Sequence, residues 1–290
     1  MSAPPQVSVI VPVFEQWHLA PLLCAGLNGQ DIAADRYEVL LVDNGSRMIE
    51  VPSNLPPNAR ILTCAQPGSY AARNAGLAEA RADWLLFTDA DCRPEPNWIS
   101  TILEASRRLG PSTLLAGPVR MLAGSADPNI YEIYDLVRGI PQERYVRRGY
   151  AATANLAVHR SVFAAAGPFD GRRFSGGDAE FCRRARAAGN TTALVPGAYV
   201  GHPCRSSWAE IETKARRVRG GQVAPGSLRR HKSIVAVAIL SPLKGIWTLM
   251  RARPHSLRYR LLASLVLLRV WWAEISETIR LSFGATPERR

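Results

Sequence analysis

Cysteine is scarce in this sequence, and its spacing suits neither a disulfide framework nor a zinc site. Small secreted domains have dense, paired cysteines, and zinc sites use closely spaced pairs. We therefore expect reduced, structural thiols and a cytoplasmic protein. The five cysteines are odd in number and far apart along the 290 residues: Cys24, Cys64, Cys92, Cys182 and Cys204.

Long hydrophobic runs are also few. The first residues, MSAPPQVSVIVPVF, lack the basic start and the cleavage pattern of a secretory signal, so we expect a first strand there. Pro242 and Lys244 interrupt the apolar segment SIVAVAILSPLKGIWTLM, and the run LLASLVLLRVWWA is short and contains Arg269. A bilayer-crossing helix needs about 20 predominantly apolar residues. Neither segment is therefore expected to span a membrane.

A glycine-rich phosphate-binding turn is missing where a dinucleotide-binding protein would have it. The first predicted strand is followed by FEQWHLAP, which contains no glycine. This argues against a nicotinamide-dependent dehydrogenase.

The basic excess of the chain lies entirely in its last part. Residues 1–204 contain 19 basic and 19 acidic side chains, and residues 205–290 contain 17 and 5, so the difference of 12 accounts for the net charge of +12. Such an asymmetry predicts an anionic partner, either a phospholipid surface or nucleic acid. Nucleic acid is disfavoured because aromatic and basic residues are not interleaved in this part.

The C-terminal segment, residues 222–290, is called the tail below. Its apolar helical patterns are flanked by arginines and include Trp271 and Trp272, which suits an anionic membrane interface. Packing of the same helices on the rest of the chain, or an oligomer contact, is an equal alternative. The sequence does not predict the oligomeric state.

Short runs of valine, isoleucine and leucine alternate with helical patterns before the tail. Strands that are nearly all apolar are typical of a sheet covered on both faces. The alternation predicts an α/β domain with a mostly parallel central sheet flanked by helices. The predicted strands are Val7–Val13, Tyr37–Val42, Arg60–Cys64, Trp84–Thr88, Ser112–Val119, Thr153–Val158 and Thr192–Val200, and the predicted helices are Trp17–Asn28, Ser69–Arg81, Asn97–Leu109 and Asp178–Ala188.

Acidic side chains follow three of these strands, in VPVFEQ, LLVDNGS and LLFTDAD. Ligands of open α/β sheets bind beyond the carboxyl ends of the strands, so this edge is the expected site. Asp89 and Asp91 share one face if the strand geometry persists, and two such carboxylates favour Mg²⁺ or Mn²⁺ with a bound diphosphate. Taken alone, a D-x-D pair is as readily a turn or a helix cap.

Several ordered segments together resemble the family 2 glycosyltransferases of the GT-A fold, from about Val7 to His202. They are VSVIVPVFEQWHLAPLLCAGLNGQ, YEVLLVDNGS, GSYAARNAGLAEARADWLLFTDADCRPEPNW and GYAATANLAVHRSVFAAAGPFDGRRFSGGDAEFCRRARAAGNTTALVPGAYVGH. The resemblance implies a catalytic domain at residues 1–221, with a nucleotide-binding half at 1–120 and an acceptor half at 121–221. The tail follows it.

The resemblance also implies roles for residues on the donor side. Asp43 would hold the nucleotide base, although an Asx turn is an equal interpretation of D-N-G-S. Arg73 would line the nucleotide site, or else be a solvated helix residue. The first-strand end would lie against the nucleoside: Pro12, Phe14 and Glu15.

Further roles concern the metal and the transferred sugar. Asp89 and Asp91 would hold the metal and, through it, the donor diphosphate, with His202 close to them. His202 could instead be an ordinary loop histidine. Asn155, with its neighbours Thr153 and Ala154, would contact the donor sugar and the acceptor.

Asp178 would be the catalytic base, and as the first residue of a predicted helix it could also be an N-cap. Glu180 is the second candidate for the base. Gly177 stands where the family usually has glutamate, and this departure favours a catalytically silent paralogue as an alternative. Cys92 beside the metal motif has no identifiable base and is not expected to be a nucleophile.

The resemblance implies an inverting hexosyltransferase that uses a nucleotide-sugar donor, with UDP preferred over GDP or dTDP, and Mn²⁺ or Mg²⁺. One displacement assisted by a base gives inversion at the anomeric carbon. The basic tail favours a lipid-linked or cell-envelope and exopolysaccharide glycan as acceptor. We expect a peripheral protein at the cytoplasmic face of the membrane.

Overall fold

The computed structural model describes residues 4–222 and 242–286, which fall into two compact units. Unit 1 comprises Met1–Arg120, Ile140–Arg173 and Gly177–His202, and unit 2 comprises Met121–Gly139, Phe174–Gly176 and Pro203–Arg290. Unit 2 therefore includes parts of the predicted acceptor half, residues 121–221, together with the described part of the tail.

A seven-stranded sheet forms the centre of unit 1, in the order β3-β2-β1-β4-β8-β6-β9. All of its pairs are parallel except the two made by β8, which confirms the predicted mostly parallel sheet. Of the remaining strands, β5 and β10 pair antiparallel. The strands are β1 Val7–Val13, β2 Tyr37–Asp43, β3 Ala59–Thr63, β4 Trp84–Phe87, β5 Arg93–Pro94, β6 Thr113–Ala116, β7 Val119–Leu122, β8 Leu156–His159, β9 Thr191–Leu194 and β10 Val200–Pro203.

Three predicted strands are shorter than expected. The run Ser112–Val119 divides at Gly117, where a Cβ atom would lie 2.2 Å from the Asn155 amide nitrogen. The run Thr192–Val200 divides into β9 and β10 around a turn at Gly197, which has a φ of +91°. Residues 153–155 form a 3₁₀ turn before β8, so only the second half of Thr153–Val158 is a strand.

The helices match their predicted ranges closely wherever a prediction was made. Residues 17–19 form a 3₁₀ turn that leads into the first helix. The helices are α1 Ala20–Asn28, α2 Ser69–Glu79, α3 Trp98–Leu109, α4 Ile130–Arg138, α5 Gln142–Val146, α6 Arg160–Ala166, α7 Gly177–Ala187, α8 Trp208–Gln222, α9 at 242–250 and α10 Leu257–Ser282.

The sheet is covered on both faces, as its apolar strands predict. Val9 and Val11 of β1 belong to the core formed with α1 and α3, and Ile10 belongs to the core formed with α2, α6 and α7. This is the period-two alternation of a strand between two layers. Helix α2 comes very close to the sheet at Gly76, where a Cβ atom would lie 2.5 Å from an Ile10 methyl carbon.

In unit 2, α10 packs on α4 and α8. An Asn129–Glu132 capping box starts α4. Arg269, which interrupts an apolar run in the sequence, lies over the Trp208 ring at 3.9 Å. None of the described helices combines the length and the apolar composition that a bilayer crossing requires. The first predicted tail helix lies partly outside the described residues, because 223–241 are not among them. The core of this unit contains Ile133, Tyr134, Val137, Ile211, Ala215, Leu249, Ala263, Val266 and Val270.

Lys214 of α8 is half-buried beside Asp135, with their side-chain nitrogen and oxygen 3.8 Å apart. Asp135 also accepts a 2.8 Å bond from Arg205 Nη1. Burial, and then the charges of Arg205, Arg138 and Arg217, lower the pKa of Lys214 to about 7, against the opposing charge of Asp135.

The lowered pKa of this half-buried lysine predicts a pH dependence of stability. Between pH 7 and the ordinary lysine pKa of 10.5, the unfolded chain binds a proton that the folded protein does not bind, so the free energy of unfolding rises with pH. Lys214→Met should reduce that slope by up to about 1 kcal/mol per pH unit, measured by urea unfolding at pH 7.5 and 8.5. Lys244→Met, at an exposed position, should keep the wild-type slope. Equal slopes for the wild type and Lys214→Met would contradict this assignment.

Candidate functional site

Asp89, Asp91 and His202 come together in unit 1 just beyond β4 and within β10. One ligand atom from each lies within 4.8 Å of the other two. His202 Nε2 is 3.8 Å from an Asp91 carboxylate oxygen, and the His202 side chain is buried. The predicted trio, whose members span more than a hundred residues of sequence, is thus a compact set of two carboxylates and one imidazole.

The donor set fits a divalent cation. Asp91 Oδ1 is buried and has no hydrogen-bond partner within residues 4–222 and 242–286. A buried carboxylate oxygen without a partner is costly, and a cation would satisfy it. Carboxylate oxygens suit Mg²⁺ and Mn²⁺, and imidazole is compatible with a transition metal such as Mn²⁺. Asp89, Asp91 and His202 are therefore the residues that could hold a metal.

Arg73 belongs to the same site. It is buried in α2, and its Nη2 donates to Asp89 Oδ1 at 2.5 Å. The guanidinium carbon lies 5.4 Å from the centre of the Tyr70 ring. Arg73 is thus a buried cation fixed beside the acidic cluster, which excludes the interpretation as a solvated helix residue.

Asp43 ends β2 in a buried turn. Its Oδ2 accepts from the backbone N–H groups of Gly45 and Ser46 at 3.0 and 3.1 Å, as in an Asx turn. Its Oδ1 accepts a 2.8 Å bond from Trp17 Nε1. Burial raises the pKa of Asp43, but hydrogen bonds from Ser46, Trp17 and Gly45 outweigh it, so the pKa is lowered. The carboxylate is held in its charged form at the strand end.

The end of β1 lies beside this turn. Pro12 is half-buried in the strand in register with Val42, and Phe14 follows the strand. Glu15 has a φ of +54°, which is unusual for a residue with a side chain, and its backbone N–H donates to Ser46 Oγ at 2.9 Å. Strained residues of this kind cluster at functional sites.

Asn155 differs from the role predicted for it. Its side chain is fully buried, accepts from Trp98 Nε1 at 2.9 Å, and donates to the carbonyls of Pro118 and Ala198 at 2.9 and 2.8 Å. Both amide hydrogens are used in these bonds, so the Asn155 side chain secures the backbone and is not aimed at a sugar.

Asp178 lies in the first turn of α7 and is half-buried. Its Oδ1 accepts from the Ala179 N–H at 2.8 Å. Burial raises the pKa of Asp178, and the charge of Asp89 adds to this, against hydrogen bonds from Ala179 and Thr153 and the charge of Arg73. A carboxyl group with a raised pKa is a stronger base than an ordinary aspartate.

The two rival candidates have other roles. Glu180 forms an ion pair with Arg184, with 2.7 Å between nitrogen and oxygen, which ties it to its own helix. Cys92 is fully buried, and burial together with the charges of Asp91 and Asp89 raises the pKa of its thiol well above the ordinary value. A buried neutral thiol is not a nucleophile.

The sequence does not predict two residues that contact this site. Trp17 was predicted only as the start of a helix, yet its indole holds Asp43. Tyr70 was not singled out, yet it lies between Arg73 and the start of α7. Both are aromatic residues with a polar group, in the first two positions of a helical segment that follows a strand, and this is the signal that could have identified them.

Comparison with known sequences identifies the family of this chain. A model of glycosyl transferase family 2 matches residues 8–166. The glycosyltransferase AglE of Haloferax volcanii is 32% identical over 239 residues, which cover 78% of this chain and 76% of that protein. The succinoglycan biosynthesis protein ExoM of Rhizobium meliloti is 30% identical over 64% of this chain and 63% of its own length.

Solved structures share the fold at low sequence identity. The mannosyltransferase PcManGT of Pyrobaculum calidifontis, in complex with GDP-Man and Mn²⁺, has a TM-score of 0.57 at 16% identity and covers 98% of this chain and 89% of its own. S. aureus TarS 1–349, in complex with UDP-GlcNAc, has a TM-score of 0.54 at 15% identity, covering 96% and 92%. These similarities confirm the predicted GT-A type of fold.

Proposed function

This chain belongs to glycosyl transferase family 2, and on that premise we propose that it transfers a sugar from a nucleotide-diphosphate sugar to a glycan hydroxyl. The observation that carries the proposal is the trio Asp89, Asp91 and His202, with a buried carboxylate oxygen that lacks a partner among the described residues. The fixed guanidinium of Arg73 lies beside it. A cation and a diphosphate would complete this arrangement of charges.

The donor side of the proposal rests on charge and position. Asp89, Asp91 and His202 would hold Mn²⁺ or Mg²⁺, which when bound neutralises negative charge on a leaving diphosphate. Arg73 is the resident cation of the site. Asp43, Pro12, Phe14 and Glu15 would form the nucleoside end, and UDP is the first nucleotide to test, before GDP and dTDP. The UDP-GlcNAc and GDP-Man complexes of the similar folds support a nucleotide-sugar.

The acceptor side rests on Asp178. Its carboxylate would take the proton of the acceptor hydroxyl as the glycosidic bond forms, and its raised pKa suits that role. Attack from the face opposite the leaving diphosphate in a single displacement inverts the anomeric carbon. We therefore propose an inverting hexosyltransferase.

The acceptor is proposed to be a lipid-linked or exopolysaccharide glycan. The name of ExoM places that relative in succinoglycan biosynthesis, and another relative is named an undecaprenyl-phosphate 4-deoxy-4-formamido-L-arabinose transferase. The proposal agrees with the basic composition of the tail, because lipid-linked acceptors lie at an anionic surface.

A donor panel tests the proposed function. UDP-, GDP- and dTDP-sugars are incubated with the protein in Mn²⁺, in Mg²⁺ or in EDTA, and free nucleotide diphosphate is measured with and without a lipid-linked glycan. We expect turnover of at least one donor with metal and a loss of that turnover in EDTA. An absence of metal-dependent turnover or binding for every donor would contradict the proposal.

Peripheral membrane attachment is proposed from one face of α10. Its side opposite the unit 2 core, together with the residue that follows the helix, exposes large apolar side chains three, four or seven positions apart, called the apolar stripe below. Arginines flank it, so a bilayer with anionic headgroups matches both its apolar and its charged parts. The stripe consists of Leu257, Leu261, Leu265, Leu268, Trp272, Ile279 and Phe283.

Removing part of the stripe should release the protein from vesicles. The variant with Leu261→Gln, Leu265→Gln and Trp272→Gln should lose about tenfold or more in partitioning to phosphatidylglycerol vesicles, because each large apolar side chain contributes about 1.5–3 kcal/mol when buried. Vesicle flotation measures the bound fraction. Met48→Gln with Val51→Gln, exposed apolar residues of unit 1, is the matched control and should float like the wild type. Equal flotation of all three proteins would show that the stripe is not the anchor.

A further inference from the structure

Gly177, the first residue of α7, has no room for a side chain. A Cβ atom there would lie 2.7 to 2.8 Å from three carbon atoms of the Tyr70 ring. Contacts under about 3 Å are not made by real side chains, so any larger residue at position 177 requires the ring to move. The Tyr70 ring of α2 therefore fills the space that a side chain at position 177 would need.

The Tyr70 ring is fixed from several sides. It is buried in the second residue of α2, and its centre lies 5.7 Å from that of Phe169. The Arg73 guanidinium carbon is 5.4 Å from the ring centre on the same helix. A ring held in this way cannot swing aside for a side chain at position 177 without disturbing Arg73, which is bonded to Asp89.

The Tyr70 hydroxyl reaches the start of α7. The backbone N–H groups of Asp178 and Gly177 lower the pKa of this hydroxyl, and the charge of the Asp178 carboxylate raises it, so these groups lie around the phenol. Burial, and then the charge of Asp178, raise the pKa of Tyr70 far above its ordinary value, so the side chain is a neutral phenol. The first N–H groups of a helix have no partner within the helix, and a hydroxyl beside them can serve as an acceptor.

We propose that Tyr70 is a positioning residue for Asp178: its ring occupies the space above Gly177, and its hydroxyl holds the first turn of α7 and sets where the carboxylate meets the acceptor. This inference rests on the proposed function. Tyr70 thus links the two sides of the reaction, because the same helix places Arg73 beside Asp89 and the phenol beside Asp178. The Tyr70 ring also explains Gly177. Because the ring leaves room only for glycine at this position, the missing glutamate does not indicate a catalytically silent protein.

Tyr70→Phe is the variant that isolates the hydroxyl. The ring stays, so packing against Phe169 and Gly177 is kept, while the hydroxyl beside the first turn of α7 is removed. We expect kcat for sugar transfer to fall about tenfold or more, with the donor KM within twofold of the wild type, because small displacements of a reacting group cost up to about 10²-fold. Phe163→Leu is the control, since the Phe163 ring belongs to the same aromatic cluster but packs on Phe87, Phe169 and Phe181. It should lower the melting temperature and leave kcat, measured well below that temperature, near the wild-type value.

A second pair of variants tests the steric half of the inference. Gly177→Ala should lower kcat and stability in the wild-type background, and should cost little further in a Tyr70→Ala background, where the ring is gone. Non-additivity of this kind identifies a direct contact. Wild-type kcat in Tyr70→Phe, an equal fall of kcat in Phe163→Leu, or additive effects of Gly177→Ala would overturn the inference. No transfer by the wild-type protein with any donor would overturn the proposed function instead.

Discussion

Asp178→Asn is expected to lower sugar transfer by about 10³-fold while donor binding stays at the wild-type level, because general base catalysis contributes about 10²- to 10⁴-fold. Asparagine keeps the size and the Ala179 contact of the side chain but cannot accept a proton. The measurement is kcat for transfer to a glycan acceptor, together with titration of the nucleotide-sugar. Loss of donor binding in parallel with kcat would mean that the residue supports the fold of the site.

Glu180→Gln is the matched variant for this test. It removes a carboxylate from the same helix, two residues away, but one that is paired with Arg184. We expect it to transfer sugar at close to the wild-type rate. The reverse result, with transfer lost in Glu180→Gln and retained in Asp178→Asn, would exchange the two roles.

The pH dependence follows from the raised pKa of Asp178. Transfer needs the ionised carboxylate, so kcat/KM falls as the pH drops through the pKa of the free enzyme. Burial places that pKa above the ordinary aspartate value of 3.8, so activity should be lost at a higher pH than an ordinary aspartate would cause. The residual activity of Asp178→Asn should lack this acidic limb.

Asp91→Asn is expected to lower metal-dependent transfer by about 10²-fold or more, the scale for removing one stabilising group from a transition state. Asn presents one neutral oxygen where the wild type presents two charged ones. The stability of the metal-free protein should not fall with the activity. Asp91 Oδ1 is buried without a partner among the described residues, so neutralising this side chain relieves a cost in metal-free protein. The melting temperature in EDTA should stay the same or rise.

The control for Asp91→Asn is Asp83→Asn, an exposed aspartate just before β4. It removes the same charge at the opposite end of β4 and should leave both activity and melting temperature unchanged. A fall in the melting temperature of Asp91→Asn in EDTA would show that this carboxylate stabilises the fold. A wild-type rate for Asp91→Asn would exclude it as a metal ligand.

The sequence predicted best what local pattern decides. β1 was predicted without error because its residues are apolar on both faces, as a central strand between two layers requires. The run Ser112–Val119 was predicted as one strand because its apolar residues are continuous. The break at Gly117 depends on Asn155 and Ala198, which are distant in sequence and close in space.

In the site, too, features set by local sequence are predictable and contacts between distant elements are not. The two aspartates of D-A-D, and Asp178 at a helix start, are visible in the sequence because their spacing is local. Arg73 and His202 were predicted only through the family resemblance, since the pairing of Arg73 with Asp89 and the approach of His202 to Asp91 arise only when separate elements meet. Family resemblance supplied the residues, and the structure supplied their contacts.

Asn155 shows where resemblance alone was insufficient. Its position in the chain matches a segment expected at the sugar, but its amide is used entirely within the fold. Gly177 is the opposite case. It looked like a lost carboxylate in the sequence, and the Tyr70 ring above it gives a steric reason for the change.

Nucleotide diphosphate binding with and without a divalent cation tests the central claim most directly. UDP, GDP and dTDP are titrated calorimetrically into the wild type and into Asp91→Asn, each in Mn²⁺ and in EDTA. We predict that one nucleotide binds the wild type at least about tenfold more tightly in Mn²⁺, a difference of about 1.4 kcal/mol, and that Asp91→Asn loses this difference. Equal affinities in Mn²⁺ and EDTA for the wild type, or no binding of any of the three, would contradict the account.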